Sequence, residues 1–280
     1  MNVKIVVDST ADLRPELAEK VGIVPLSIQF GERTYVSGVD ITPREFYEML
    51  VESDELPTTS QPAPYLFEEA YEKAVSEGYD VVCLTCSGKL SGTHQSANIA
   101  AAEFPGKVHV VDSGSIAIGL AILAEYALAL AEEGKSAEEI VEMLQKREKI
   151  KILALVDTLE YLKKGGRVSS TLALAGGLLN IKPVLSVIGG EIKLVGKARG
   201  SRQGNNLLVQ EIEKAGGVDF RMPVALGYTG LSDALLQKYI QDSAALWEDH
   251  RETLPVSLIS SVVGTHVGPG AVAVAFFAAE

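Results

Sequence analysis

The sequence predicts an α/β protein of two domains: an N-terminal doubly wound parallel sheet and a C-terminal α/β layer domain with a mixed or antiparallel sheet. Three observations carry this. Through the first half, short apolar runs alternate with helical stretches, the pattern of strands joined by helical crossovers on both faces of a sheet. Two of those runs end in the same V-V-D-S, at 6–9 and 110–113, each ahead of a helix, which implies parallel strands whose C-terminal ends share one rim. Past residue 150 the pattern changes to shorter runs, two of them joined by Gly189-Gly190 as in a hairpin. The domains are placed at 1–150 and 151–280, with the boundary at 148–151.

Taken in order, residues 3–7 (V-K-I-V-V) read as a buried parallel strand followed by D-S-T-A-D-L, where Ser9 or Thr10 can cap a helix with Asp12 in its first turn. In 40–50, Thr42 is placed as an N-cap and Pro43 at the first helical position. P-T-T-S-Q-P-A-P (57–64) reads as a turn-rich connection before a helix at 65–77. A strand at 80–86, a loop, a helix at 93–103, a strand at 107–111 and helices at 116–133 and 136–148 complete the first domain. The second begins with a strand at 150–156 and the short helix T-L-E-Y-L-K-K, stopped by Gly165 and Gly166. A small-residue helix near 170–179, strands at 183–188 and 191–196, a helix at 201–215, a strand at 223–227, a helix at 231–247 and strands at 255–260 and 270–277 follow.

The chain has 280 residues, 47% hydrophobic, 22% charged and only 6% aromatic, which indicates a globular protein with close helix–sheet packing. Its formal charge of −12 argues against nucleic acid and anionic membranes as partners of the whole surface. Asp8 breaks the N-terminal apolar run, so the start does not read as a signal peptide. The longest apolar stretch, 119–131, contains Glu125 and falls short of the roughly 20 residues that span a bilayer. A cytoplasmic protein without stable membrane insertion is expected. Cys83 and Cys86 form a lone C-x-x-C on a strand, where residues three apart face opposite sides, so they read as small buried residues and not as a zinc or redox pair.

Charge is uneven. Between Glu160 and Arg202 stand Lys163, Lys164, Arg167, Lys182, Lys193, Lys197, Arg199 and Arg202 against two acidic residues. The segment carries +6 and the rest of the chain −18. Taken alone, it reads equally as a solvated face and as a surface for an acidic partner.

Three polar, glycine-containing segments are candidates for chemistry. S-G-K-L-S-G-T-H-Q-S (87–96) lies where a strand hands over to a helix. Free amide N–H groups, Gly92 as a point of close backbone approach, and the hydroxyls of Ser91 and Thr93 suit a small anion. An ordinary N-cap turn accounts for the same residues. T-T-S-Q-P (58–62), with Thr59 and Ser60, is the second. G-T-H-V-G-P-G (264–270), read as a glycine-rich turn carrying Thr265 and His266, is the third. No nucleophile elbow surrounds Ser91, Gly134-Lys135-Ser136 lacks the upstream glycine of a P-loop, and no His/Asp/Glu set has metal-ligand spacing. A serine hydrolase using Ser91 and His266, oriented by Asp8 or Asp112, stays open as the enzymatic alternative.

Seven segments occur in an order that resembles the DegV family: V-V-D-S-T-A-D-L, G-V-D-I-T-P-R-E-F-Y, P-T-T-S-Q-P, S-G-K-L-S-G-T-H-Q-S-A, T-L-E-Y-L-K-K-G-G-R-V-S, I-K-P-V-L and G-T-H-V-G-P-G-A. The resemblance spans 3–279; His94 stands where the family pattern has an aromatic residue. It implies a carrier without turnover of its own, akin to the acyl-binding subunit of bacterial fatty acid kinase. Such a protein holds a long-chain fatty acid such as palmitate between two domains, with no cofactor and no metal. By motif, the carboxylate falls to Thr59, Ser91 and His266, supported by Ser60, Gly92, Thr93 and Thr265, with no buried lysine or arginine required. The stretch 171–187 is expected to contact the acyl tail. The partner implied is an ATP-dependent kinase subunit that forms an acyl phosphate, docking on Arg167, Arg199 and Arg202.

Overall fold

The structure is a computed structural model that describes residues 2–168, 181–247 and 250–279. Its strands form three sheets. The first is parallel and four-stranded, in the order β2 (Gly22–Val24), β1 (Asn2–Asp8), β6 (Tyr79–Thr85) and β7 (Val108–Asp112). Residues alternate between its faces as a pleat requires. Val6, Val81 and Cys83 face α3 (Pro64–Ser76) and α4 (Thr93–Ala101), while Ile5, Val7, Val82 and Leu84 face α5 (Ile118–Glu132) and α6 (Ala137–Met143). This is the doubly wound arrangement expected, and β1 and β7 do end on one rim at Asp8 and Asp112.

The second sheet is mixed and six-stranded. Its order is β10 (Glu191–Ala198), β9 (Lys182–Ile188), β8 (Ile150–Leu155), β13 (Val272–Phe277), β11 (Val224–Tyr228) and β12 (Val256–Leu258). All its pairings are antiparallel except β11 with β12. One face packs on α8 (Gly200–Lys214) and α9 (Ala234–Asp242) through Leu208, Ile212, Leu236 and Tyr239. The other packs on α5 through Ile152, Ala225, Ala273 and Ala275. So α5 lies between two sheets, which explains a helix apolar on nearly every side: Ile118, Leu120, Ile122, Leu123 and Ala127 are all buried.

The third sheet is small and antiparallel: β4 (Arg33–Val36), β3 (Ser27–Phe30) and β5 (Thr58–Ser60). It packs with α2 (Pro43–Glu52), whose Thr42–Glu45 capping box and Pro43 stand where the sequence placed them. The other α-helices among the described residues are α1 (Pro15–Ala18), α7 (Glu160–Lys164) and α10 (Ser261–Val267).

Several sequence expectations are corrected. The first helix starts at Pro15, too late for Ser9 or Thr10 to cap it, and Asp12 lies ahead of it. Residues 58–60 are a strand, because β3 offers an edge that a turn-rich sequence does not announce. The 264–270 segment is not a turn between strands: 261–267 is helical, and only Gly268 and Gly270 adopt positive φ. The helices expected at 136–148 and 231–247 are shorter, continued by 3-10 turns at 144–149 and 244–246. The expected helix at 170–179 lies outside the described residues. Cys83 and Cys86 are free and buried in the cores on opposite faces of the first sheet.

Candidate functional site

Thr59, Ser91 and His266 come from three elements and line one cavity. Thr59 sits on β5, opposite Ile28 of β3. Ser91 closes the loop after β6; its Oγ lies 2.8 Å from Thr93 Oγ1 and accepts from the Thr93 amide at 3.3 Å. His266 is in the last turn of α10, with Nε2 2.8 Å from Thr59 Oγ1. Burial, with the Arg167 guanidinium as second cause, lowers the His266 pKa to about 4, so the ring is neutral at neutral pH. Its Nδ1 has no hydrogen-bond partner among the described residues and rests against Gly165, where a Cβ would lie 2.2 Å away. The Gly-Gly that ends α7 therefore also admits the imidazole.

The loop of Ser91 is held from several sides. The Cys86 amide donates to Asp8 Oδ2 at 2.7 Å, and the Gly88 amide to Asp112 Oδ2 at 3.1 Å. Ser87 Oγ donates to the Gly190 carbonyl at 2.8 Å, joining this loop to the β9–β10 hairpin of the second sheet. Arg167 adds a further tie, donating to the carbonyls of Leu90 at 3.3 Å and Gly165 at 2.5 Å. It lines the same cavity, half-buried. An arginine thus stands at the polar end of the cavity, a place the sequence reading left to neutral donors.

The other residues singled out lie elsewhere. Ser60 is exposed; Thr93 is buried beneath the loop; Thr265 donates to the Ser261 carbonyl at 2.9 Å inside α10. The space over Gly92 is filled by Gln61, whose Oε1 would lie 2.0 Å from a Cβ there and whose Nε2 donates to Ser96 at 3.0 Å. Arg199 and Arg202 are exposed at the start of α8. Lys193 pairs with Glu191, already within the segment's net charge, and Lys182 pairs with Asp157 from outside the segment, which offsets one of its positive charges. His94 hydrogen-bonds Thr85 and Asn98, at 3.0 Å each.

Among the described residues no carboxylate hydrogen-bonds or pairs with His266. Asp8 accepts from Thr10 and Cys86, and Asp112 from Gly88 and Gly114. The Ser–His–carboxylate geometry of a hydrolase is therefore not assembled from Ser91, His266 and either aspartate. No group of three or more potential metal ligands occurs among the described residues.

An apolar cavity adjoins this one. Ile116, Leu162, Ile192, Val263 and Val267 line both. The deeper one lies between the second sheet, α10 and the approach to α5, and its lining is almost wholly apolar. Ile152, Ala154, Leu185 and Ala273 form its floor. Of the stretch expected at the tail, 181–187 contributes Leu185, Ser186 and Val187, while 171–180 lies outside the described residues. Ala117, the non-glycine residue with positive φ (57°) among the described residues, lies in this wall. Sequence reasoning missed most of this lining, because Ile, Val and Ala around a slot carry the same pattern as Ile, Val and Ala in a core.

Fold and site together define a class: an α/β protein of two larger sheets and one small one, with an apolar slot beside a cavity lined by hydroxyls, an imidazole and a guanidinium. The family model described as "Uncharacterised protein, DegV family" matches residues 2–279. A DegV domain-containing protein of Deinococcus radiodurans is 36% identical over 282 residues, covering 98% of each chain. The chain belongs to the DegV family. Among solved structures, a fatty-acid-binding DegV family protein from Thermus thermophilus superposes with a TM-score of 0.86 at 34% identity, covering 99% of this chain and 100% of that one. The B3 protein of Streptococcus pneumoniae fatty acid kinase, loaded with linoleic acid, superposes with a TM-score of 0.85 at 27% identity, covering 99% of each. No described helix is long and apolar enough to cross a membrane.

Proposed function

We propose that this protein binds one long-chain fatty acid, its carboxylate at Thr59, Ser91 and His266 and its tail in the slot behind them. The observation that carries the reading is that the cavity of Thr59, Ser91 and His266 shares the walls Ile116, Leu162, Ile192, Val263 and Val267 with an adjoining apolar one. A ligand that fits must be charged or polar at one end only. At about 0.8 kcal/mol per buried CH₂, a palmitate tail offers on the order of 10 kcal/mol of transfer free energy. Fatty acids bound by related DegV proteins support the same ligand class.

The protein is a carrier that works in the cytoplasm and presents the carboxylate to an ATP-dependent kinase subunit, with the acyl phosphate as product. The likeness to a fatty acid kinase subunit supports the partner. Two domains, divided at 148–151, hold the ligand between them; described strands of the two larger sheets fall on either side of that boundary. Solvent extraction of the purified protein followed by mass spectrometry tests the reading. Near-stoichiometric C14–C18 fatty acid is the expected result, and a clean extract with esterase activity lost in Ser91→Ala overturns it.

A further inference from the structure

The three arms of the polar end are far apart in sequence, and each is fastened to the same short loop. Asp8 receives the Cys86 amide at 2.7 Å, which fixes the loop that carries Ser91. Ser9 Oγ receives the Leu26 amide at 2.9 Å, at the entry to β3, whose Ile28 pairs with Thr59. Asp12 Oδ1 receives the Ser260 amide at 2.7 Å, across 248 residues of sequence, at the entry to α10 and His266. Asp8 also caps its own loop, accepting the Thr10 amide and hydroxyl on Oδ1, but Ser9 caps no helix, and Asp8 and Asp12 are buried carboxylates without an ion-pair partner among the described residues. A buried aspartate is costly to keep unless its hydrogen bonds hold something in place.

We propose that the loop D-S-T-A-D (8–12) positions the carboxylate site, and that Asp12 is the positioning residue for His266. The inference rests on the fatty-acid reading for its consequence in binding, and on geometry alone for its effect on the imidazole. Asp12 acts at one end of α10 and His266 stands in the last turn of the same seven-residue helix, so a shift at the entry reaches the ring. Alongside, Tyr47 Oη donates to the Ile259 carbonyl at 3.1 Å and would lie 2.4 Å from a Cβ at Gly264. Tyr47 thus holds the carbonyl of the peptide whose N–H Asp12 accepts, and it also packs against the middle of α10. Burial raises the Asp12 pKa to about 7, against the Ser260 hydrogen bonds that lower it, with Asp8 as a further charged neighbour. Asparagine can accept the same amide without a charge.

The test follows His266 by NMR titration in the whole chain, with no ligand required. In wild type and in Asp12→Asn the ring should stay neutral down to about pH 4. In Asp12→Ala it should leave Thr59 and titrate nearer its ordinary 6.5. Ser260→Pro removes the same hydrogen bond from the donor side, at a residue whose φ is already −57°, and serves if Asp12→Ala does not fold. Palmitate retention supplies the second readout: Asp12→Ala should lower it about tenfold in the wild-type background and not further in His266→Ala. An imidazole that titrates near pH 4 in both folded variants, or additive losses in the His266→Ala background, overturns the proposal. A wild-type protein that holds no fatty acid removes the binding arm only, and the titration still decides the positioning role.

Discussion

The two ends of the cavity are built on opposite plans. At the polar end, Thr59, Ser91, His266 and Arg167 come from four segments: Thr59 and His266 bond each other, Arg167 bonds Leu90, and Ser91 is held within its loop by Thr93. In the slot, Ile152, Ala154, Leu185 and Ala273 project from adjacent strands of one sheet, held by pairing alone. The polar end therefore depends on side chains that meet at particular distances, while the slot depends on volume. A single methyl or hydroxyl should matter at one end, and only bulk at the other.

The largest break in that contrast comes from filling the slot. Ala154→Phe places a ring where the tail would lie, and bound fatty acid should fall below detection in mass spectra of the extracted protein. Overpacking costs roughly 1–3 kcal/mol of stability, so a folded but empty protein is expected, with Tm measured alongside. Ala154→Gly, which removes bulk, should leave the ligand in place.

At the polar end smaller changes suffice. Thr59→Ala and Ser91→Ala should each weaken palmitate binding by about 1–3 kcal/mol, the range for a hydrogen bond to a charged group, which is roughly 5- to 150-fold in Kd. Isothermal titration of the delipidated variants measures it, and a double variant that binds as wild type would place the carboxylate elsewhere.

Protonation separates the ends further, since the titratable groups gather at one. The unfolded chain takes up a proton on His266 near pH 6.5, whereas the folded chain keeps the ring neutral to about pH 4. The stability tied to this group is complete above 6.5 and declines as pH falls through that window, by up to about 3 kcal/mol. Asp12 has the opposite sign: its folded pKa is raised from 3.8 to about 7, so its contribution is complete below 3.8 and declines as pH rises toward 7. His266→Gln should flatten the loss of Tm on acidification from pH 6.5, and Asp12→Asn should raise Tm most above pH 7.

The same contrast sets what the sequence could reveal. Ser91 and His266 stood out as polar residues near glycine and Thr59 as part of the polar cluster 58–62, and family motifs joined the three, which the structure places on one cavity. The parallel sheet was legible through Ile5, Val7, Val82 and Leu84, and α2 through Thr42 and Pro43, each a local signal. The slot was not, since Ile152 and Ala273 also belong to the core and nothing local marks the side of a residue that faces empty space. Nor were the long-range acceptors: Asp12 looked like a first-turn helix residue because its partner lies 248 positions away. His266 was expected on a turn because Gly264 and Gly268 flank it, yet those glycines make room for the rings of Tyr47 and Tyr161.

The finest test asks where the binding site stops and the partner surface begins. Arg167 lines the cavity and ties Leu90 to Gly165, while Arg202 is exposed on α8 and does not line it. Both were candidates for docking, and their surroundings now separate them. Arg167→Glu brings a second negative charge to the carboxylate and loosens the Ser91 loop, so fatty-acid binding and acyl-phosphate formation should both fall. Arg202→Glu should leave binding unchanged and slow acyl-phosphate formation severalfold at low ionic strength, because an exposed charge steers encounter more than it adds affinity. That difference should shrink as added salt shortens the screening length to about 10 Å at 0.1 M and about 3 Å at 1 M. Equal rates for Arg202→Glu and wild type with a fatty acid kinase subunit at low salt would make the exposed start of α8 a solvated face and confine the partner surface to the cavity mouth.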